Sequence, residues 1–355
     1  MAAFWTEPDF DAHERVEFVH DRSSGLTAIF ALHSTHLGPA AGGTRFLHYP
    51  DPEFAIRDAL RLSRGMSYKS AMAGLPVGGG KAVILAEKSR EKSAELLSAF
   101  GDAVNDLGGA YITTEDVGMT EADMAAIARR TAYVTGLPAE NEHEAGGDPG
   151  PFTARGVFLG IKQAVAHKLG KDDLEGVHVA IQGTGSVGSG VARLLADQGA
   201  QLTLADANET LAASLAQELG AKTAAADSIM DVECDVFSPN ALGAILDDRG
   251  IERLRTAIVA GGANNQLAEP THGQKLAARG ILYAPDYVIN AGGIIAVTFE
   301  YLARQAGASG AIEQVHDSVS KIPGRLTEIW DSAEQTGTPP GDVADSIAQR
   351  LIGRG

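Results

Sequence analysis

The sequence contains a single cysteine, Cys234, among 355 residues, so no internal disulfide can form. Such low cysteine usage fits a reducing compartment, and we expect a cytoplasmic protein. Cys234 precedes an apolar segment that begins at Val236. We therefore interpret it as a buried, unreactive thiol and not as a nucleophile.

Positive charge is also scarce: 29 Lys and Arg stand against 46 Asp and Glu, a formal net charge of -17 at pH 7. Nucleic acids and anionic membranes are bound by basic surfaces, so neither is an expected partner. No apolar segment approaches about 18 residues, and the first residues show no basic start followed by an apolar run. No HExxH motif and no Cys/His pair with zinc spacing occurs, so the sequence predicts no metal site. The expected partner is a small molecule.

Length and composition indicate two globular domains. The chain is longer than one core usually supports, and 44% of its residues are apolar and 21% charged. Between Gly136 and Pro151 the sequence is rich in acids, glycine and proline without periodicity, which is typical of a hinge. We predict a first domain over 1–140, to which residues 336–355 return, and a second domain over 141–335.

The segment Gly65–Lys81, GMSYKSAMAGLPVGGGK, carries two lysines, Lys69 and Lys81, among apolar residues. The glycine triplet before Lys81 predicts a loop, and the segment 82–85 predicts a buried strand. Two lysines in one apolar site would suit an anionic substrate: one holds a carboxylate, and the other acts as a base. Burial and its like-charged neighbour would lower the pKa of that second lysine. The alternative is a surface loop with both lysines solvated.

Three further features of the first half bear on the site. Gly38–Arg45 predicts a glycine-rich turn, and Asp51 with Pro52 predicts the start of a helix that ends near Gly65. Adjacent carboxylates, Glu115 and Asp116, follow a predicted strand over 110–113 and are a candidate acid/base position. They precede a helix over 121–130 whose start has a capping-box pattern, so the alternative is that both acids cap that helix or are solvated.

The second half contains a dinucleotide-binding fingerprint. A strand over 177–181 runs into Gly183-Thr184-Gly185-Ser186-Val187-Gly188, a helix follows, and a second strand ends in Asp206, 23 residues after Gly183. Gly183 would permit the tight turn, Gly185 the approach of a pyrophosphate, and Gly188 close packing of helix on strand. Asp206 would accept hydrogen bonds from the ribose hydroxyls and repel a 2′-phosphate, which favours NAD over NADP.

Strands and helices continue to alternate to about residue 290, which predicts a doubly wound parallel sheet. Ligands of such sheets bind beyond the carboxyl ends of the strands, where loops at Asn240, at Asn264 and at 290–293 are predicted. Asn264 is our candidate for a contact to the nicotinamide ribose or carboxamide. From residue 310 to the end we predict two helices, the last capped by Asp342, that pack back on the first domain.

Six motifs in order over nearly the full chain resemble the glutamate/leucine/phenylalanine/valine dehydrogenase family, and within it the leucine dehydrogenases most. The motifs are LGPAAGGTR (37–45), GMSYKSAMAGLPVGGGK (65–81), ITTEDVG (112–118), GTGSVG (183–188), AGGANNQL (260–267) and APDYVINAGG (284–293). The resemblance implies an α/β substrate domain followed by a Rossmann-type NAD domain. It also implies NAD-dependent oxidative deamination of an L-amino acid to a 2-oxo acid and ammonium, the reverse reductive amination, and a homo-oligomer.

The resemblance also implies roles for matching residues. Lys69 would bind the substrate carboxylate with the Gly42-Gly43 backbone, Lys81 would activate the water that attacks the imine, and Asp116 would shuttle protons at the amino group. Thr153 and Asn264 would lie near the nicotinamide, and Asn240 also in the cofactor site. The substrate side-chain pocket would be lined by Ala41, Met66, Thr114, Ile294 and Val297. No Arg or Lys would meet a second carboxylate in that pocket, which disfavours glutamate.

The chain departs from the family at two places. Asp148-Pro149-Gly150-Pro151 stands where Asn-Pro-Ser-Pro is usual, so the polar side chain expected near the nicotinamide is missing; Asn240 replaces a usual cysteine. Branched-chain and aromatic substrates stay open, because one methylene discriminates by only ~1–3 kcal/mol. An NADH-binding module without catalysis also stays open, whereas a 2-hydroxy acid dehydrogenase would need a catalytic histidine that neither His178 nor His272 is placed to supply.

Overall fold

The computed structural model describes residues 4–87, 92–139, 144–308 and 311–355. The chain forms two compact units: the first contains Met1–Asp148, Ala296–Gln314 and Ala348–Gly355, and the second contains Pro149–Ile295 and Val315–Ile347. The passage from Asp148 to Pro149 lies in the predicted hinge, of which residues 140–143 are outside the described part. The first unit also contains residues 296–314, which we predicted in the second domain. The segment at the chain end that belongs to the first unit begins at Ala348, whereas we predicted residue 336.

The first unit is built on a five-stranded mixed sheet in the order β1-β2-β4-β3-β5. β1 and β2 form an antiparallel hairpin, β4 runs antiparallel to β2, and β3 pairs in parallel with both β4 and β5. The elements are β1 (Arg15–Asp21), β2 (Leu26–Ser34), β3 (Ala40–Leu47), α1 (Pro52–Met72), β4 (Gly78–Leu85), α2 (Ala94–Asp106), β5 (Tyr111–Glu115) and α3 (Glu121–Ile127), after a 3₁₀ turn at Phe4–Thr6.

Two predictions about glycine-rich segments were wrong. Residues 38–45 do not form a turn, because β3 begins at Ala40, and the triplet 78–80 lies inside β4 instead of in a loop before it. The glycines are required by close packing. A Cβ on Gly42 would lie 1.8 Å from the carbonyl oxygen of Gly80, and one on Gly79 would lie 2.0 Å from the amide nitrogen of Ser67 on α1. Because these glycines have no side chains, β3 and α1 can approach β4 closely.

Helix starts in this unit were predicted better than helix ends. Asp51 caps α1 through its side chain and Pro52 is its first residue, but α1 continues past Gly65 to Met72, so Met66 and Lys69 are helical. The capping box of Thr120 and Asp123 at α3 is confirmed, although α3 ends at Ile127. α2 begins at Ala94 after its cap at Ser93. The sequence predicts a helix over 89–107, whose first residues, 89–91, lie outside the described part.

The sheet of the first unit has an apolar layer on each face. One face packs on α2 and α3, with Phe30, Phe100 and Met124 fully buried. The other face packs on α1, where Val83 of β4 meets Leu60. Lys81 lies on the same face of β4 as Val83, since alternate residues of a strand point to the same side.

The second unit confirms the predicted doubly wound fold. Its six strands are all parallel, in the order β11-β10-β9-β6-β7-β8, so the strand order reverses beside β6. Its elements are α4 (Gly150–Leu169), β6 (His178–Gln182), α5 (Ser186–Ala196), β7 (Gln201–Ala205), α6 (Glu209–Leu219), β8 (Lys222–Thr223), a 3₁₀ turn (Ile229–Asp231), β9 (Val236–Pro239), α7 (Asp248–Arg253), β10 (Ile258–Val259), α8 (Thr271–Ala278), β11 (Leu282–Tyr283) and α9 (Asp286–Ile289).

The last quarter of the chain forms helices α10 (Gly292–Ala306), α11 (Ile312–Val319), α12 (Ile322–Thr336) and α13 (Pro340–Leu351). The prediction of two helices after residue 310 was wrong for the described part, and Asp342 lies inside α13 instead of capping it. Within the first unit, Gln349 Nε2 donates to the Tyr68 hydroxyl over 3.0 Å, and Arg354 donates to the carbonyl oxygen of Asp11 over 2.6 Å. Residues 348–355 therefore pack on the first unit, whereas α12 and most of α13, which we predicted to pack there too, belong to the second unit.

Cys234 is half-buried, and burial raises the pKa of its thiol, which disfavours the nucleophilic thiolate. None of the helices in the described ranges is long and apolar enough to span a bilayer.

Candidate active site

Three charged residues of the first unit meet at Lys81. Its side chain is 6% exposed on β4, and its Nζ forms an ion pair with Asp116, which follows the end of β5. The same carboxylate oxygen, Oδ2, accepts a hydrogen bond from Arg45 Nε of β3 over 2.9 Å. The residues predicted as base and proton shuttle therefore touch, and a third charged residue joins them.

Burial is the largest influence on both members of this pair. It lowers the pKa of Lys81, and Asp116 opposes that effect by favouring the ammonium form. Burial by itself would raise the pKa of Asp116, but the charges of Lys81 and Arg45 outweigh it and lower that pKa to about 2. Arg45 also lowers the pKa of Lys81. Arg45 is therefore a like charge that acts on Lys81, one that the sequence did not suggest.

The Gly42-Gly43 backbone borders the ion pair. A Cβ on Gly43 would lie 2.7 Å from Asp116 Cβ and 3.4 Å from Lys81 Nζ, so no larger residue fits there. The carbonyl oxygen of Gly42 accepts a hydrogen bond from the buried Tyr111 hydroxyl over 2.7 Å. This backbone segment is therefore held close to the charged pair.

Other residues predicted to bind substrate lie around the same strands. Ala41 is buried on β3, Thr114 of β5 is paired with Gly43, and a Cβ on Gly42 would meet Met66 Cγ at 3.3 Å. Lys69 is half-buried in the last turn of α1. It follows Met66 by three residues, so both lie on one side of the helix.

The two pocket residues predicted on α10 are both buried. Ile294 lies near the start of α10 and belongs to the second unit; Val297 belongs to the first, where its carbonyl oxygen accepts a hydrogen bond from Thr135 over 2.9 Å. Glu300 of the same helix accepts bonds from the amides of Gly136 and Leu137 over 2.9 and 3.1 Å.

In the second unit, the glycine turn between β6 and α5 has the conformation that its sequence predicts. Gly183 has φ +90°, which favours glycine, and a Cβ on Gly188 would lie 1.9 Å from the carbonyl oxygen of Gly183. Gly185 precedes α5 and provides no side-chain cap, and a Cβ there would meet no atom of the described chain within 4 Å. The protein's own packing does not require glycine at that position, whereas a pyrophosphate on the amide groups of Ser186, Val187 and Gly188 would.

Asp206 lies at the end of β7 beside this turn. Its Oδ2 accepts a hydrogen bond from the amide of Thr184 over 2.7 Å, and its Oδ1 accepts one from the amide of Asn208 over 2.8 Å. Burial would raise the pKa of Asp206, but these amide hydrogen bonds lower it, so the carboxylate is ionised. A charged acceptor at this strand end suits a ribose diol, and the residues present fit a dinucleotide.

Amide side chains connect the loops at the carboxyl ends of β9 and β10. Asn240 uses both ends of its amide within the protein: Oδ1 accepts from the Gly262 amide over 2.8 Å, and Nδ2 donates to Ser238. Asn290 Nδ2 donates to Asn264 Oδ1 over 2.8 Å, which orients the Asn264 amide. Asn240 therefore shapes the loop, and Asn264 presents its NH₂ group away from Asn290.

Thr153 lies on the first turn of α4, next to the start of α10. A Cβ on Gly293 would lie 2.9 Å from Thr153 Oγ1, and one on Gly292 would lie 2.0 Å from the carbonyl oxygen of Phe152. The N-cap of α4, Pro149, forms no side-chain capping hydrogen bond, which agrees with the missing polar side chain in this segment. No group of three or more His, Cys, Asp or Glu that could hold a metal ion occurs in the described ranges.

Three residues of these sites were not predicted from the sequence: Arg45, Tyr111 and Asn290. Arg45 and Asn290 stand inside recognisable motifs, but nothing in a single sequence distinguishes them from ordinary surface or turn residues. Each acts by holding another site residue through a contact between segments far apart in the chain, 71 residues for Arg45 and Asp116.

The chain matches two family models that together cover most of its length. Residues 13–133 match the Glu/Leu/Phe/Val dehydrogenase dimerisation domain, and residues 149–214 and 202–350 match the Glutamate/Leucine/Phenylalanine/Valine dehydrogenase model.

Known proteins similar to this chain include several amino acid dehydrogenases. Leucine dehydrogenase of Geobacillus stearothermophilus is 45% identical over 96% of this chain and 90% of its own, and valine dehydrogenase of Streptomyces virginiae is 43% identical over 97% and 95%. The crystal structure of L-tryptophan dehydrogenase from Nostoc punctiforme superimposes with a TM-score of 0.83 at 41% identity, over 96% of each chain. The chain therefore belongs to the glutamate/leucine/phenylalanine/valine dehydrogenase family and is an amino acid dehydrogenase.

Proposed function

We propose that the protein oxidises an apolar, branched-chain L-amino acid with NAD and water to a 2-oxo acid, ammonium, NADH and a proton, and that it catalyses the reverse reductive amination. The observation that carries the proposal is the buried ion pair of Lys81 and Asp116 beside the Gly42-Gly43 backbone. A base of lowered pKa next to an ionised carboxylate is what deprotonation of an amine and activation of water require.

The residues of the first unit divide the acid/base work. Lys69 and the Gly42-Gly43 amides bind the substrate carboxylate. Asp116, ionised at neutral pH, accepts a proton from the substrate ammonium group, because only a free amine can expel a hydride from its carbon. Lys81 then takes a proton from the water that attacks the imine carbon. Its burial helps, since it favours the neutral amine that acts as a base.

The second unit binds the oxidant. The turn 183–188 and the start of α5 hold the pyrophosphate of NAD, and Asp206 holds the adenosine ribose. NAD, when bound, accepts the hydride from the substrate Cα. Thr153, Asn240 and Asn264 form the nicotinamide end of this site, with the amide of Asn264 oriented by Asn290. The ionised Asp206 favours NAD over NADP, because it would repel a 2′-phosphate.

The substrate class follows from the side chains assigned to the pocket. Ala41, Met66, Thr114, Ile294 and Val297 are neutral, and four of the five are apolar. A second carboxylate, as in glutamate, would need a cation. Leucine, valine and tryptophan dehydrogenases are all similar to this chain, so aromatic amino acids are the second candidate substrates and are tested beside the branched-chain ones.

The test is a substrate panel. NADH formation is followed at alkaline pH with L-leucine, L-valine, L-isoleucine, L-phenylalanine, L-tryptophan and L-glutamate, each with NAD and with NADP. We expect turnover of the branched-chain substrates with NAD. Turnover of glutamate alone would contradict the proposed substrate class, and NADH binding without turnover of any amino acid would favour a non-catalytic NADH-binding module.

We further propose a homo-oligomer and a cytoplasmic location. The family model matched by residues 13–133 is described as a dimerisation domain, which supports self-association. The single cysteine suits a reducing compartment. Light scattering of the purified protein tests the first of these proposals, and fractionation of the cells that produce it tests the second.

A further inference from the structure

Arg45 connects two carboxylates that come from different elements. Its Nε donates to Asp116 Oδ2 over 2.9 Å and its Nη1 donates to Asp58 Oδ2 on α1 over 2.8 Å. Asp58 is held in turn by the Tyr49 hydroxyl over 2.9 Å and by Arg61 Nη2 over 3.1 Å. Because a guanidinium group is a rigid planar fork, two fixed bonds determine its orientation.

This arrangement leaves one oxygen of Asp116 for chemistry. Both Lys81 and Arg45 donate to Oδ2, and Oδ1 has no hydrogen-bond partner among the residues that the structure describes. Rotating the carboxylate would break two charge-assisted bonds at once. Oδ1 is therefore the oxygen that can exchange a proton with a substrate amino group.

We propose that Arg45 is a positioning residue for the reaction: it keeps Asp116 ionised and oriented, and together with Asp58 it determines the pH at which Lys81 accepts a proton. The proposal rests on the proposed function, in which Lys81 is the base and Asp116 the proton shuttle.

The charges around Lys81 determine the direction in which each substitution should shift its pKa. Within the described residues, Asp116 after β5, Arg45 on β3 and Asp58 on α1 act on its ammonium group. Burial is the main cause of the lowered pKa of Lys81; Arg45 lowers it further, whereas Asp116 and Asp58 raise it. Removing the charge of Arg45 must therefore raise the pKa of Lys81, and removing that of Asp58 must lower it.

The test compares Arg45→Gln and Asp58→Asn with the wild type. Initial rates of L-leucine oxidation by NAD are measured across the alkaline range, and kcat/KM is plotted against pH. For Arg45→Gln we expect the midpoint of the rising limb to move to higher pH by about 0.5–1 unit and kcat to fall about 10-fold. For Asp58→Asn we expect the midpoint to move to lower pH. A loss of packing alone would not give opposite shifts.

Two further variants complete the design. Arg45→Lys keeps the positive charge but lacks the planar guanidinium group. The midpoint of its pH profile should therefore equal the wild-type value, while kcat stays reduced. Arg130→Gln removes an exposed pair with Asp102, whose two bonds measure 2.7 and 2.8 Å, and should leave the pH profile unchanged. Circular dichroism verifies the fold of each variant. If Arg45→Gln fails to fold, the midpoints of the pH profiles of Asp58→Asn and Arg45→Lys still test the role of Arg45.

The outcomes separate this proposal from the one it rests on. An active wild type with superimposable profiles for Arg45→Gln, or shifts of one sign in both variants, overturns the role of Arg45 and leaves the proposed function intact. A wild type that oxidises no amino acid overturns both.

Discussion

Lys81 combines a charged side chain with almost complete burial, and such a group is stable only with a partner. Asp116 supplies the opposite charge, while burial lowers the pKa of Lys81 and so favours its neutral amine. That balance suits the proposed role of Lys81 as a base.

Lys81→Ala tests the assignment of the base. We expect kcat for amino acid oxidation to fall by at least about 10²-fold, because the water that attacks the imine loses its proton acceptor. NADH affinity, measured by fluorescence titration, should be unchanged, since the residues that we propose to bind the cofactor lie in the second unit. Lys168→Ala, which removes an exposed lysine, is the matched control; wild-type turnover in Lys81→Ala would remove the residue from the mechanism.

Asp206 tests the cofactor assignment. Asp206→Ala should reduce the ratio of kcat/KM for NAD to that for NADP about 10-fold, which corresponds to about 1.4 kcal/mol, because the charge that repels a 2′-phosphate is gone. Asp206→Asn keeps an oxygen acceptor for the amide of Thr184 and so separates charge from loop structure. An NAD/NADP ratio that stays at the wild-type value in both variants would contradict the role of Asp206.

At the scale of single elements, packing requires glycine at one position of β4 but not at a position of the neighbouring helix α1. Gly79 lies in β4 where α1 approaches the strand, and a Cβ there would overlap the backbone of Ser67. Gly65 lies inside α1, exposed, and a Cβ there would meet no described atom within 4 Å. The first glycine is required by packing and the second is not.

The two substitutions should therefore change stability in opposite directions. Gly79→Ala should reduce the free energy of unfolding by at least about 1–3 kcal/mol through overpacking. Gly65→Ala should increase it by about 0.5–1 kcal/mol, because alanine loses less backbone entropy in a helix. Urea unfolding of both variants measures these changes, and equal effects would mean that β4 and α1 are not packed as described.

Elements defined by local chemistry were predictable. The cap at Asp51, the capping box at Thr120 and the glycine turn at 183–188 depend on residues a few positions apart, and all three are present in the structure. Helix ends and glycine-containing strands were not predictable, because they depend on which other elements lie against them.

On the scale of the whole molecule, the chain end packs on buried histidines near the start. His33 is fully buried between Asp11, Ser67 and Arg354, and its ring stacks edge-on with that of His13. Burial, with the charge of Arg354, lowers the pKa of His33 from 6.5 to about 4, and burial also lowers the pKa of His13. Both rings are thus neutral in the folded protein at neutral pH.

The pH dependence of stability follows from that shift. The folded pKa of His33 lies below the unfolded value, so the unfolded chain takes up a proton first as the pH falls. The free energy of unfolding should be greatest above pH 6.5 and should decrease from there to about pH 4, by at most about 3 kcal/mol from this histidine. Urea unfolding at several pH values measures it. His33→Gln should weaken this dependence, and an equally steep one in that variant would assign it to other groups.

The sequence by itself determined the family, through six motifs in order along the chain, and the doubly wound sheet, through its alternating strands and helices. It also provided Lys81, Asp116 and Asp206 as candidate site residues. Only the tertiary structure decided that 78–80 form a strand, that Arg45 contacts Asp116 and acts on Lys81, and that Asn290 orients Asn264. These results depend on contacts between segments distant along the chain, and distance in space is the one quantity that a single sequence does not contain.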